Sequence, residues 1–151
     1  MSSDLAPPAV YRATSAPGEG AAASGEDPAT AIVRMVNAAR AAEGLGSLRR
    51  DSRLDAIAEK QALAMRAAGR VGHDLGFGDP GARVSAAGLE VTAAGENLSH
   101  APSAARAHRS LWASPSHRGN LLHSRYDAVG VGAAIGADGT LWVCELFADF
   151  R

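Results

Sequence analysis

Residues 128–148 read AVGVGAAIGADGTLWVCELFA, and the fold class turns on this stretch. Apolar residues run on both sides of Ala137-Asp138-Gly139. Asp-Gly between two such runs is a strong short-range signal for a β-hairpin, because both positions tolerate the backbone a tight turn needs. The reading predicts two strands, roughly 128–136 and 140–148, paired antiparallel and closing the chain.

Working back from the hairpin, the pattern changes from strand to helix. Residues 103–113 place Ala104, Ala107 (or His108), Leu111 and Trp112 on one helical face, and Pro115 is expected to end that helix. Residues 89–99 pass through a short strand into Gly95-Glu96-Asn97-Leu98. Asp79-Pro80 begins a short helix running to about Ala87 before Gly88. Residues 52–68 form a longer helix with Leu54, Ile57, Ala58, Ala62 and Met65 inward, ended by Gly69. Asp27 can cap, and Pro28 suits the first position of, a helix carrying Ile32, Val33, Val36 and Ala39 to a stop at Gly44. Helices first and a hairpin last indicate an α+β domain. Periodicity alone leaves a two-layer and a three-layer arrangement both open.

The 151 residues suit one domain, assigned to residues 28–151, with residues 1–27 as an Ala/Pro/Gly-rich leader or tether lacking any periodic face. Such a leader is expected to be dispensable for stability. Residues 28–151 carry 14 bases and 12 acids, a net of +2, too even a balance for a nucleic-acid binder. No run of apolar residues is long enough to span a membrane, and no signal peptide is visible. Cys144 stands alone, so packing rather than a disulfide must stabilise the core, and it is expected to be a buried small hydrophobe.

Three polar residues stand out as sites for chemistry: His73, Glu96 and His117. Each is read as lying in a loop after an ordered element, where binding groups concentrate. Converged, two imidazoles and a carboxylate can hold zinc or another divalent metal with a position left open, or do acid–base work near neutral pH. Each histidine can equally pin its loop by hydrogen bonds to the backbone. Glu96 and Asn97 can serve as turn acceptors, and Arg83 reads as a solvated helix charge with Glu96 as one alternative partner. Arg118 and Asn120 are expected to pin the turn around His117, and His100, His108 and His123 to be exposed or capping.

The order of segments resembles the bacterial branch of the CAP superfamily, the SCP-like extracellular domain. The stretches are VNAARAAEGLGSLRRDSRLDAIAEKQALAM, GHDLGFGDPGAR, GENL, LWASPSHRGNLL, YDAVGVGAA and GTLWVCELFA, in that order over about residues 30–148. The resemblance implies a three-layer α-β-α sandwich around a central antiparallel sheet, a secreted or cell-envelope location, and a cleft lined by histidines and acids. It maps His73 and His117 onto the family histidines and Glu96 onto the acid of GEN. It also implies that some relatives bind zinc or similar ions, and that others bind sterols or fatty acids in separate grooves. Two departures matter: Trp112 is followed by Ala113-Ser114-Pro115 rather than a second acid, and the family's disulfides are absent. Glu145 on the last strand is a candidate for a second carboxylate.

These features favour an exported, monomeric, non-enzymatic binding module with a cell-envelope ligand or protein as partner, and a divalent metal such as zinc as its one candidate cofactor. A metal-dependent, protease-like hydrolase is the alternative from the His/His/Glu trio. A lipid- or sterol-binding module is the other, weakened by an aromatic content of only 5%.

Overall fold

The computed structural model describes residues 25–151. The elements run α1 (Pro28–Ala42), β1 (Arg49–Arg50), α2 (Ser52–Ala68), α3 (Pro80–Ala86), β2 (Ala93–Ala101), α4 (Ala104–Ala113), α5 (Pro115–Leu121), β3 (Ala128–Ile135) and β4 (Leu141–Asp149). Most of the expected leader lies outside the described residues. Glu26 and Asp27 already belong to the domain: Glu26 pairs with Arg34 at 3.1 Å, and Asp27 Oδ1 accepts Thr30 N–H at 2.7 Å to cap α1.

The hairpin forms as the sequence reads. Gly136 N–H donates to Thr140 O at 2.7 Å, and Asp138 Oδ1 accepts the Thr140 N–H at 3.0 Å. The register runs from Ile135 opposite Leu141 to Ala128 opposite Ala148. β2 pairs antiparallel with the outer side of β4, so the sheet order is β1-β3-β4-β2, with β2 an edge.

All nine residues of β4 are buried. A strand dry on both faces must be covered on both faces, which decides the three-layer arrangement. Leu141, Val143 and Phe147 join a core with α1, α4 and α5, while Trp142, Cys144, Leu146 and Ala148 join a second core beneath α2 and α3. Residues 30–148 thus form one α-β-α sandwich, as expected.

The glycines of AVGVGAA explain how closely the layers meet. A Cβ on Gly130 would overlap the backbone of Leu54 and Asp55, and one on Gly132 the backbone of Ala58 and Glu59. The α2 backbone therefore lies directly on β3.

Three expectations need correction. The sheet is not wholly antiparallel: the two-residue β1 pairs parallel with β3, through Arg49 N–H to Asp127 O and Asp51 N–H to Val129 O, both at 2.9 Å. So short and charged a strand carries no alternation to read; it forms because Asp51 is pinned as the cap of α2. Pro115 ends α4 but also starts α5, since proline is favoured at the first turn of a helix. His108 is fully buried on α4 together with Ala107, rather than exposed. Buried Arg40 ties α1 to the end of α5, donating to Leu121 O and His123 O at 3.0 Å each.

Candidate functional site

The site is assembled at the β2 edge, where groups from both faces of the sheet can meet. Glu96 is in the middle of β2 rather than in a loop, and its side chain is buried on the α2/α3 side beside Cys144. Asn97, the next residue, points to the other face, where it reaches Glu145 and α5.

His73 comes from the loop between α2 and α3. That loop is held from three directions. Gln61 Nε2 donates to Gly72 O at 2.6 Å, Arg83 Nη2 to His73 O at 3.0 Å, and Asp74 Oδ1 accepts Gly76 and Gly78 N–H at 3.0 and 3.1 Å. The His73 Nδ1 lies 2.8 Å from Glu96 Oε1. A carboxylate oxygen can only accept, so Nδ1 is the donor of this bond. The side chain is 57% exposed and Nε2 has no hydrogen-bond partner among the described residues.

Glu96 itself is saturated. Arg83 Nη2 lies 2.7 Å from both carboxylate oxygens, and the Cys144 thiol donates to Oε2 at 3.1 Å. Arg83 is not the solvated helix charge expected of it. It is buried on α3 because it also ties down the His73 loop, donating from Nε to Gly78 O at 3.0 Å. Burial and the neighbouring Glu96 push the Cys144 thiol well above its ordinary value, so it stays a neutral donor and not a nucleophile.

His117 stands on α5, across the β2 edge from His73. Its Nδ1 lies 2.8 Å from Ser114 Oγ, and its backbone carbonyl accepts from Asn97 Nδ2 at 3.0 Å. Asn120 Nδ2 donates to Asn97 Oδ1 at 2.9 Å and to Glu96 O at 3.3 Å, which clamps α5 to the strand. Burial lowers the His117 pKa, and the charge of nearby His73 lowers it further. The neutral imidazole, the form that ligates, is favoured.

The three residues singled out in the sequence therefore converge on the Glu96–Asn97 segment, but with unequal roles. Glu96 holds His73 by its Nδ1, and Ser114 holds His117 by its own. Glu145 does not join them as a second acid. It is completely buried on the opposite face from Glu96, accepts one bond from Asn97 Nδ2 at 3.1 Å, and its Oε2 has no partner among the described residues. Desolvation raises its pKa to about 7. His100 stacks on Trp142 with ring centroids 3.6 Å apart, and His123 Nδ1 accepts Arg125 N–H at 3.1 Å, so both are structural.

The donor set suits a metal held by two imidazoles and not by the trio. Ligating histidines commonly give the other ring nitrogen to a carboxylate or hydroxyl that orients them, as Glu96 and Ser114 do here. A cation placed on Glu96 would instead compete with the Arg83 guanidinium. Among the described residues no group of three or more His, Cys, Asp or Glu side chains is arranged to hold a metal ion.

The sequence between Val33 and Leu146 matches the family model of the cysteine-rich secretory proteins, CAP. The chain belongs to the CAP family. Three solved structures share the fold. An extracellular protein containing an SCP domain, from Bacillus anthracis, superposes with a TM-score of 0.71 at 24% identity, covering 81% of this chain. The match spans only 40% of the Bacillus protein. An outer surface protein from Borrelia burgdorferi gives 0.74 at 20% identity, over 80% of this chain and 90% of its own. A venom allergen-like protein from Schistosoma mansoni gives 0.60 at 13% identity, over 83% and 90%. No curated protein sequence matches. Among the described residues of this CAP domain no helix is long and apolar enough to cross a membrane.

Proposed function

We propose that this CAP domain is an exported, non-enzymatic binding module of the cell envelope that takes a divalent metal ion, zinc or a similar one, through His73 and His117. The observation that carries the reading is the pairing of two imidazoles from opposite faces of one sheet edge. Each has Nδ1 engaged by an orienting partner and Nε2 without one. A bound ion would supply Lewis-acid attraction for an electron-rich group on an envelope ligand or protein. His73 and His117 bind, Glu96 and Ser114 orient, and Arg83 keeps Glu96 from becoming a ligand. Two protein ligands make for modest affinity. The location rests on the descriptions of two structural relatives, one extracellular and one an outer surface protein.

The hydrolase alternative finds less support. A general base needs a carboxylate or imidazole able to take a proton from water, and Glu96 is committed to Arg83, His73 and Cys144. Ser114 touches His117, but among the described residues no acid orients that imidazole from its other nitrogen. Calorimetric titration with zinc at about pH 7.5 and about pH 5.5 tests the proposal, with His73→Ala and His117→Ala as controls. Binding is expected at the higher pH, lost in both variants, and weakened at the lower pH, where protons compete with the ion for the imidazoles. Binding that survives in both variants would refute the assignment.

A further inference from the structure

β1 leaves most of β3 uncovered. It pairs with Ala128 and Val129 only, so residues 131–135 are a free edge of the sheet among the described residues. Three bonds fix which backbone groups point outward there. Val129 O accepts Asp51 N–H at 2.9 Å, Val131 N–H donates to Asp55 Oδ1 at 2.9 Å, and Ile135 O accepts Arg66 Nη1 at 3.1 Å. Backbone groups alternate in direction along a strand, so those of Ala133 point outward as well. Asp55 and Arg66 thus close the two ends of the edge. Between them Val131 O, Ala133 N–H, Ala133 O and Ile135 N–H have no hydrogen-bond partner among the described residues.

The space in front of this edge is open. A groove of about 300 Å³ runs along Val131–Ala133, walled by Pro28 and Ala29 of α1 and by Asp55 and Glu59 of α2. Its charged lining residues are three acids, Asp27, Asp55 and Glu59, against one base, Arg50, a net of −2. Asp27 caps α1, and Asp55 pairs with Arg50 at 2.9 Å. Glu59 is exposed and has no ion-pair partner among the described residues. At the far end of the edge Ile135 is a large apolar side chain left 58% exposed.

We propose that the β3 edge between Asp55 and Arg66 binds an extended peptide of alternating apolar and basic residues, added to the sheet as a further strand. Main-chain hydrogen bonds to the four open groups give the affinity, and the side chains on either face give the choice of peptide. Residues level with one another on paired strands share a face. Ala133 packs on the α1 side, so a peptide residue level with Ala133 or Ile135 lies on that side and is apolar. Gly132 and Ala134 face α2, so a peptide residue level with either points to the Glu59 side, which selects arginine or lysine. A second copy paired edge to edge would satisfy the same backbone groups, but it would bring two net-negative grooves together. The site is independent of the metal reading, since neither His73 nor His117 lines it.

A titration of acetyl-Val-Arg-Val-Arg-Val-amide into the full chain, followed by nitrogen-15 amide spectra, tests this. The amides of Ala133 and Ile135 should shift saturably, with a dissociation constant of about 1 mM or tighter. Whichever way the peptide runs, only one alternate set of its nitrogens faces the edge. N-methylation of that set, valine or arginine, should weaken binding about tenfold or more, and N-methylation of the other set should leave it within about twofold. Glu59→Lys, at an exposed helix position, and the acidic peptide acetyl-Val-Glu-Val-Glu-Val-amide should each weaken binding severalfold. No saturable shift at Ala133 and Ile135, equal tolerance of methylation in both sets, or equal binding of the acidic peptide would overturn the proposal. So would a shift of both amides on dilution of the protein alone, which would assign the edge to a second copy.

Discussion

Replacing Glu145 by Gln should stabilise the domain, and only above mildly acidic pH. Glu145 is completely buried in the centre of β4, with one hydrogen bond from Asn97 and one oxygen unpaired. Burial disfavours its charged form and lifts the pKa from 4.5 to about 7. The folded state therefore holds this proton more tightly than the unfolded chain does. Its contribution is fully present below about pH 4.5, where both states are protonated, and is lost as pH rises to about 7. At ~1.4 kcal/mol per pH unit, the gap corresponds to ~3 kcal/mol of stability lost by pH 8. Glutamine keeps the shape and the acceptor for Asn97 and carries no charge to desolvate. Urea unfolding of both proteins at pH 5 and pH 8 isolates the effect, because every other titrating group cancels in the difference. The variant should gain little at pH 5 and ~3 kcal/mol at pH 8, or a rise of roughly 10 °C in melting temperature. Parallel stability curves for the two proteins would refute the reasoning, since Glu145 would then be ionised without penalty in the fold.

Gly132→Ala places a methyl group against the backbone of Ala58 and Glu59, which cannot move aside as a side chain tip could. It should cost ~3 kcal/mol in chemical denaturation, at the upper end for overpacking, by prising α2 off β3. Arg83→Lys keeps the charge but cannot reach Gly78, His73 and Glu96 together. It leaves a buried carboxylate poorly paired, so unfolding free energy should fall by roughly 3 kcal/mol and zinc affinity should fall as His73 loses its anchor.

Much of this architecture is written in local chemistry. Asp27-Pro28 and Asp79-Pro80 mark helix starts because an aspartate caps and a proline needs no N–H in the first turn. Gly69 stops α2 because it takes the left-handed conformation, at φ 67°. The Asp138-Gly139 hairpin is legible for the same reason. What escapes a local reading is decided across the fold. Arg49–Arg50 becomes a strand only because β3 lies alongside it. Arg83 is buried because Glu96 arrives from β2 beneath it, whereas a lone arginine after Pro80 looks solvated. Glu145 sits in an apolar run whose period of two shows alternation, but not which layer each residue meets. The convergence of His73, Glu96 and His117 came from the family resemblance. That Glu96 orients His73 while Ser114 holds His117 needed the hydrogen bonds.

His73 and His117 are proposed to act as a pair through Nε2. Nitrogen-15 spectra of the imidazole rings during a zinc titration at neutral pH observe those atoms directly. The Nε2 resonances of His73 and His117 should shift together with one dissociation constant. The rings of His100, His108 and His123 should stay in place, and His73 should be the Nδ1–H tautomer before any zinc is added. A shift confined to His100 or His123, or an Nε2–H tautomer of His73, would contradict it.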